Sequence, residues 1–488
     1  MRPLLRLPGD EVSESAAPRA LTVAQTERDD LVAGSDVTVD GSRPVRSIDA
    51  RRVQATLGLG LRLVLAFAIV SLFVSESFYD HAADFKSFYS AGYAVRHPDV
   101  PLYDLVALEE NPFGEVFKLA PPAAVYLVPF SFGTIQQARL AWRMVLVSAF
   151  LAAFAVTAHA LGVRLLGWPW LAGLGLWSLF APLQIAVGEG QWDPLFLLLI
   201  AIATAAVMAR RDLLAAVVVA LATSIKPYPL LLVGYFLARR RWRAAVATVG
   251  MLGGLLLAGS LVVGLKETLV FVTRVLPASG VVTAYADNQA LGGVIARLVA
   301  DDLQPFPIRD AAGVDLFVRL LALALFGLTT WLVARRRADV AMDRAVQLGL
   351  FLPLSILVIP AAWTHYQAIL LVPLTVLAID RARHRRREPL GWLLIGVAYL
   401  VLMLPNPTML YGSELDRALW LRSRADAANV ALHRLYPTAL SRLVLSYKAF
   451  AILLLYGLLA WRVWRGAALQ VSQSVTAAGR AGAPGGGT

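Results

Sequence analysis

Cysteine is absent from this 488-residue sequence. The chain therefore has no disulfide, no thiolate nucleophile and no Cys ligand for a metal. Charged residues are also scarce: they make up 16% of the chain, against about 25% in a typical soluble domain. Hydrophobic residues reach 58%, and the mean hydropathy is +0.64. This composition predicts a polytopic membrane protein.

Positive charge is the one kind that is in excess, with a net charge of +12. The arginines lie in short clusters between apolar runs, at 210–211, 239–243, 335–337 and 381–387. Such clusters are typical of loops held on the cytoplasmic side of a membrane. We therefore expect no nucleic-acid partner.

Twelve apolar runs predict an all-α, transmembrane helical protein with about twelve spans. A span needs roughly 20 apolar residues, and the pair 213–225 and 227–238 is short enough to form one re-entrant hairpin instead. Polar tails at 1–50 and 467–488 are expected to be disordered, which leaves 51–466 as the membrane domain. The runs are 57–74, 140–163, 168–187, 194–209, 213–225, 227–238, 244–265, 316–334, 347–359, 366–379, 390–404 and 447–461.

If every run crosses, the Arg clusters and both termini share the cytoplasmic side of the plasma membrane. The other side then receives 75–139 as a first extracytoplasmic loop, together with the polar stretches near 188, 266–315, 363 and 405–448. The spans themselves hold almost no ionisable residues, whereas transporters usually need charge near the bilayer midplane. This pattern indicates chemistry at the outer face.

The first outer loop contains HAADFKSFYSAGYAVRHPDVPLYD, residues 81–104. Asp84 is followed by Phe85, Phe88, Tyr89 and Tyr93, which recur at helical spacing. Two interpretations are open for Asp84: a catalytic carboxylate, or a solvated or helix-capping aspartate. The aromatic side chains would in either case seat the helix on the bilayer surface.

Six stretches in order resemble glycosyltransferase family 87, a group of the GT-C superfamily. The likeness covers about 57–373, with Asp193 where the family more often has Asn. The stretches are DFKSFYSAGYAVRHPDVPLYD, KLAPPAAVYLVPFS, GEGQWDPLFLLLI, KPYPLLLVGYFLARRRWRA, DNQALGG and PAAWTHYQAILLVPL.

The resemblance implies a GT-C-type integral-membrane enzyme. It would transfer a hexose, mostly mannose, from a polyprenyl phosphate to a lipid or glycan acceptor, without a metal or other cofactor. In GT-C enzymes an acidic residue of the first outer loop is the base, or a ligand of a metal or of the acceptor, and Asp84 is the matching position. A positioned carboxylate can take the acceptor hydroxyl's proton, and one base suffices for inversion.

The leaving phosphate needs cationic or N–H partners, and three residues are candidates: His365, Lys226 and Lys86. His365 is expected at a helix N-terminus, where an anion is favoured. The alternatives are an interfacial His365, a snorkelling Lys226 and a solvent-exposed Lys86.

Sugar hydroxyls need amide donors and acceptors, which Gln191, Asn288 and Gln289 carry. Tyr285 or Trp192 could stack on a sugar face. Asp80, Asp99 and Asp104 are better explained as caps and turns.

Three other functions remain open at this point: a GT-C transferase for another sugar, a flippase or exporter of lipid-linked sugars, and a structural membrane scaffold. The expected partners are a polyprenyl-phosphate sugar donor, a lipid or glycan acceptor and membrane lipids.

Overall fold

A computed structural model describes residues 50–78, 84–103, 117–299, 312–383, 389–406, 436 and 438–481. The chain divides into two units, Met1–Ala55 and Thr56–Thr488. The second unit contains the features discussed below. The predicted tail at 1–49, Asp80, Asp104 and most of the predicted outer segment 405–448 lie outside the described residues.

The described residues are helical, and none of them forms a strand. The helices are α1 (Ala50–Ser77), α2 (Phe85–Arg96), α3 (Pro121–Leu127), α4 (Ile135–Ala160), α5 (Trp168–Ser178), α6 (Ala181–Glu189), α7 (Asp193–Met208), α8 (Asp212–Thr223), α9 (Val233–Ala238), α10 (Trp242–Val263), α11 (Leu265–Val270), α12 (Leu276–Ser279), α13 (Leu291–Val299), α14 (Ala312–Ala334), α15 (Ala341–Gly349), α16 (Phe351–Leu357), α17 (Leu371–Arg383), α18 (Pro389–Met403), α19 (Ala439–Arg442) and α20 (Tyr447–Ala481).

Short 3₁₀ segments join several of these helices, and one π-helical turn precedes α12. The 3₁₀ segments are Val128–Ser131, Tyr228–Leu232, Thr364–Leu370 and Leu443–Ser446, and the π-turn is Phe271–Val275.

Five helices in the described part of the chain are long and apolar enough to cross a membrane. The bent pair α5–α6, with an angle of 56°, would make a sixth if it counts as one span. Large apolar side chains such as Phe67, Leu261 and Leu323 are exposed on α1, α10 and α14, as expected for helices that face lipid. The five helical stretches are Gln54–Ser77, Ile135–Ala160, Trp242–Val263, Gly313–Ala334 and Ala439–Arg465.

Each of the twelve predicted runs coincides with helix, but the count of about twelve spans is not confirmed. Four runs form helices of 10 to 17 residues, too short to pass as spans on length alone. The run 347–359 is divided between α15 and α16, and 366–379 begins in a 3₁₀ segment. At the C-terminal end, α20 continues to Ala481, where the sequence predicted an unstructured tail from 467. The interval 467–478 lacks Gly and Pro, so nothing in it interrupts a helix.

The helix α2 is buried in the protein rather than seated on the bilayer surface, which corrects the expectation for its aromatic face. Phe85 is 0% exposed, and its ring packs 6.1 Å from that of Trp142 in α4. Phe88 contacts both Trp142 and Trp192, with ring centroids 6.5 and 6.0 Å apart. Gly92 lets α2 approach α3 closely, because a Cβ there would lie 2.6 Å from the Leu127 carbonyl oxygen.

The 16-residue helix α7 separates two chemically different ends of the second unit. At about 1.5 Å per residue it is about 24 Å long. Its first residue, Asp193, lies among the candidate site residues, whereas the carbonyl oxygen of its last residue, Met208, accepts a hydrogen bond from Arg344. Near this second end, Arg239 donates to the carbonyl of Arg336, which joins two of the predicted Arg clusters. The Arg clusters at 210–211, 239–243 and 335–337 therefore lie near one end of α7, and the candidate site residues around Asp193 lie at the other.

Candidate active site

The turn between α6 and α7 positions the centre of the candidate site. Gly190 has φ +76°, a left-handed conformation that glycine adopts without a Cβ penalty. Two side chains of α4 hold this turn: the indole of Trp142 donates to the Gly190 carbonyl at 2.7 Å, and Arg143 donates to the Gly188 carbonyl at 3.0 Å. The turn thereby projects Gln191 toward α2.

Gln191 links the catalytic candidate to a buried cation. Its amide nitrogen donates to Oδ2 of Asp84, and its amide oxygen lies 3.5 Å from Nζ of Lys226. Because an ammonium only donates, Lys226 determines which way the Gln191 amide faces. Asp84 is the N-cap residue of α2, but its side chain makes no capping bond. The half-buried carboxylate of Asp84 therefore bonds to Gln191 and not to the backbone of α2.

Lys226 lies between α8 and a 3₁₀ segment, outside the five candidate spans, and is 5% exposed. Its ammonium lies 3.4 Å from Oδ2 of Asp193 and 4.1 Å from the ring centroid of Tyr366. Burial lowers the pKa of Lys226, but nearby groups led by Asp193 raise it by more, so the net shift is upward. Lys226 therefore remains protonated at neutral pH, and its charge is already paired.

His365 occupies the start of the 3₁₀ segment Thr364–Leu370, in agreement with its expected place at a helix N-terminus. Its Nδ1 lies 3.1 Å from Glu189 and its Nε2 lies 3.8 Å from Asp193. His365 is 7% exposed, and it therefore bridges two acidic residues at the edge of a cavity.

A polar cavity of about 370 Å³ brings these elements together. Three of the predicted site residues line it, namely Asp84, Gln191 and His365. Its lining mixes polar and apolar side chains. The full lining is Asp84, Ser87, Phe88, Lys118, Leu119, Ile185, Glu189, Gln191, Asp287, Trp363, Thr364, His365, Tyr366 and Asn406.

Asn288 and Gln289 do not line this cavity, and both are fully buried. The Asn288 amide donates to the carbonyls of Thr283 and Pro360, and its oxygen accepts from two backbone N–H groups. Gln289 bonds to the backbone of Ala286, Leu445 and Ala449. Their predicted binding to sugar hydroxyls remains a prediction, which this bonding does not favour, because the amides hold the chain itself.

The aromatic and basic candidates have different positions. Tyr285 packs edge-on against Trp363, with ring centroids 5.7 Å apart. Trp363 lines the cavity, whereas Tyr285 does not. Trp192 is buried in the aromatic cluster of α4 and cannot stack on a sugar, which corrects that alternative. Lys86 is half-buried in α2 and does not belong to the cavity lining.

Sequence patterns did not mark five charged, amide or tryptophan residues of this cavity as site residues. Glu189 and Lys118 stand inside stretches that carry the family resemblance, GEGQWD and KLAPP, yet nothing in either pattern marked them as site residues. Asp287 and Trp363 likewise flank chosen candidates, and Asn406 follows α18 with no motif around it. Among the described residues, Lys118 is exposed and makes no ion pair. Only the tertiary structure could reveal these positions.

The fold and the cavity together define a class: a helical membrane protein with a polar, partly acidic site at one end of its bundle. Residues 120–360 match the model of glycosyltransferase family 87. This match is narrower than the predicted 57–373, and Asp84 and His365 lie outside it.

Two curated relatives agree with the family match. The first is a polyprenol-phosphate-mannose-dependent alpha-(1-2)-phosphatidylinositol pentamannoside mannosyltransferase of Mycobacterium tuberculosis (strain CDC 1551 / Oshkosh). It is 27% identical over 378 residues, covering 74% of this chain and 80% of the relative. The protein of the same name from Mycolicibacterium smegmatis (strain ATCC 700084 / mc(2)155) is 26% identical over 320 residues, covering 63% of this chain and 73% of the relative. These matches confirm the resemblance to glycosyltransferase family 87, and the chain is a glycosyltransferase.

Proposed function

We propose that this enzyme transfers a mannosyl group from a polyprenyl phosphate to a lipid-linked acceptor, with inversion and with Asp84 as general base. The observation that carries the proposal is the cavity shared by Asp84, Gln191 and His365. The names of both relatives support the donor, and they favour an acceptor of the phosphatidylinositol-linked glycan class.

Asp84 acts on the acceptor hydroxyl. As the acceptor oxygen forms its bond to the anomeric carbon, the hydroxyl proton passes to the Asp84 carboxylate, and the bond from the anomeric carbon to phosphate breaks. Polyprenyl phosphate leaves with the bonding electrons. The hydrogen bond from Gln191 fixes Oδ2 of Asp84, so that its other oxygen is the one available to the proton.

Donor groups at the cavity stabilise the leaving phosphate. Lys226 is paired with Asp193 and serves mainly to orient Gln191. Lys118 is exposed on the cavity lining, and we assign the phosphate to Lys118 together with His365. Donor N–H groups at the site of developing charge are the usual means of stabilising such a leaving group.

A second, apolar cavity supports a lipid substrate. It has a volume of about 1050 Å³ and includes Pro227, next to Lys226, and Pro360, whose carbonyl accepts from Asn288. Leu231, Leu323 and Phe326 are among its many apolar lining residues. A polyprenyl chain is well matched to such a surface, because burial of apolar area is favourable.

The membrane arrangement proposed with this function has about twelve spans in the plasma membrane, with both termini cytoplasmic and the site extracytoplasmic. The separation of the Arg-rich turns from the site by the length of α7 supports it. The short helices α7, α8 and α9 would then cross only with the help of flanking residues, or the runs 213–225 and 227–238 would form one re-entrant hairpin.

The test is mannosyl transfer by the nanodisc-held protein, with polyprenyl-phosphate mannose and a membrane lipid extract. Asp84→Asn keeps the size and the acceptor oxygen for Gln191 but removes the base. We expect it to lower the transfer rate by about 10²- to 10⁴-fold.

The matched control is Asp99→Asn, at an exposed aspartate that follows the same helix. It should transfer at the wild-type rate. An Asp84→Asn protein that inserts normally and turns over within tenfold of wild type would exclude Asp84 as the base. A wild type that moves labelled lipid across vesicles without any transfer would support a flippase instead.

A further inference from the structure

Asn406 presents a fixed amide donor at the cavity, although it lies outside the family-matched segment. Its Oδ1 accepts from the hydroxyl of Thr364 and lies 3.4 Å from Nζ of Lys448. Its Nδ2 has no partner among the described residues, while the side chain belongs to the cavity lining.

Lys448 determines the orientation of this amide. The lysine is 0% exposed, and its Nζ and the Thr364 hydroxyl both lie at the oxygen of the Asn406 amide. The N–H₂ group is consequently the one that faces the cavity. The same device occurs at Gln191, whose oxygen lies beside Lys226 and whose nitrogen donates to Asp84. The site thus contains two amides, each with a lysine beside its carbonyl oxygen. Among the described residues, only the Gln191 nitrogen has a protein acceptor.

The lining near Asn406 offers the groups that bind a pyranose. Asp287 contributes a carboxylate that accepts from hydroxyls, and Trp363 contributes a half-buried aromatic ring. Tyr285 packs edge-on against that ring at an interplanar angle of 64°, which restricts its rotation. A fixed donor, an acceptor and an aromatic face together match the alternating hydroxyl and C–H surfaces of a sugar.

We propose that Asp287, Trp363 and Asn406 form a pyranose-binding wall for the sugar of the donor, with Lys448 and Thr364 as positioning residues for Asn406. The proposal rests on the proposed function, because it assigns the hexose of the same reaction. A phosphate is the poorer occupant, since the Asp287 carboxylate would repel it.

The test compares two lipids that differ only in the sugar: polyprenyl-phosphate mannose and sugar-free polyprenyl phosphate. Binding of each to the nanodisc-held full chain is measured for wild type, Asn406→Ala and Trp363→Leu. We expect each variant to bind the mannosyl lipid about 3- to 30-fold more weakly and the sugar-free lipid within twofold of wild type. Trp331→Leu, at an exposed tryptophan of α14, is the control and should bind both lipids as wild type does.

The positioning role of Lys448 has a separate readout. Lys448→Met frees the Asn406 amide to rotate, so KM for the donor should rise about threefold or more while kcat stays within threefold. The proposed sugar-binding role would be contradicted if Asn406→Ala and Trp363→Leu lost affinity for both lipids equally. It would also be contradicted if both variants bound the mannosyl lipid as wild type does. A wild type that binds neither lipid would instead overturn the donor in the proposed function, and the wall with it.

Discussion

The pair Lys226–Asp193 is a buried ion pair that lies against Gln191 of the candidate site. Asp193 is 0% exposed and its carboxylate is 3.4 Å from the ammonium. Taking both charges out of water is unfavourable, and their mutual attraction offsets this only while both are present. The sequence marked Lys226 as a phosphate candidate; the structure pairs it with Asp193, and in the proposed mechanism it orients Gln191.

At this scale we expect Lys226→Met to lower the free energy of unfolding by about 3–5 kcal/mol, because it leaves Asp193 buried and unpaired. The double variant Lys226→Met/Asp193→Leu should recover most of the loss while transfer remains impaired. Thermal unfolding in detergent measures both. Arg319→Met removes the exposed partner of Asp315, and should change stability by less than about 1 kcal/mol. Equal losses at the two pairs would contradict the argument.

The turn between α6 and α7 is the element that assembles the site. It carries Glu189, Gln191 and Asp193 within five residues, and the left-handed Gly190 lets their side chains diverge toward His365, Asp84 and Lys226. The two bonds from α4 hold this turn from behind. In the stretch GEGQWD, the backbone of Gly188 and Gly190 therefore matters for the site as well as the side-chain amide of Gln191.

Two glycine-to-alanine substitutions, one in this turn and one elsewhere, distinguish the effect of backbone strain on stability from an effect on catalysis. Gly190→Ala and Gly162→Ala both place a Cβ at positive φ, +76° and +62°, so each should destabilise the protein by about 1 kcal/mol. Only Gly190→Ala should also lower kcat for mannosyl transfer, because it shifts Gln191 away from Asp84. If both variants kept wild-type kcat at similar stability, the turn would not be needed to orient the site.

At the scale of the whole molecule, charge is divided between the two ends of α7. Besides the Arg-rich turns, Arg462 binds Asp380 at 2.7 Å and Asp343 at 3.0 Å, which joins α20 to α17 and α15. The candidate site lies at the end of α7 that bears Asp193. An enzyme that meets a lipid donor and a lipid acceptor can use this arrangement to confine chemistry to one face of the membrane.

The absence of native cysteine allows the proposed sidedness to be tested directly. Single cysteines replace two exposed aspartates: Asp99→Cys just after α2, in the predicted outer loop, and Asp339→Cys beside the cluster 335–337. In intact cells a membrane-impermeant maleimide should label Asp99→Cys only, and Asp339→Cys should react after permeabilisation. Labelling in the reverse order would invert the topology, and labelling of both in intact cells would contradict a one-sided arrangement.

The class of the molecule and the positions of its apolar helices follow from the amino-acid sequence alone. Each of the twelve apolar runs lies on helix, because hydropathy and turn residues act locally along the chain. The stretches that resemble the family also pointed to Asp84, Gln191 and His365, and all three line one cavity. The number of spans was less determined, because short apolar helices can cross a membrane or pack inside a protein.

Which polar side chains are left to bind a substrate depends on contacts between residues that are distant along the chain. The sequence suggested Lys226, Asn288 and Gln289 as ligands, and in the structure each of them bonds to a partner distant along the chain. Asn406 had no motif, and it gained a role from Thr364 and Lys448, each 42 residues away. A hydrogen bond consumes a donor or an acceptor wherever its partner comes from. The chemistry left over for a substrate is therefore a property of the packed chain.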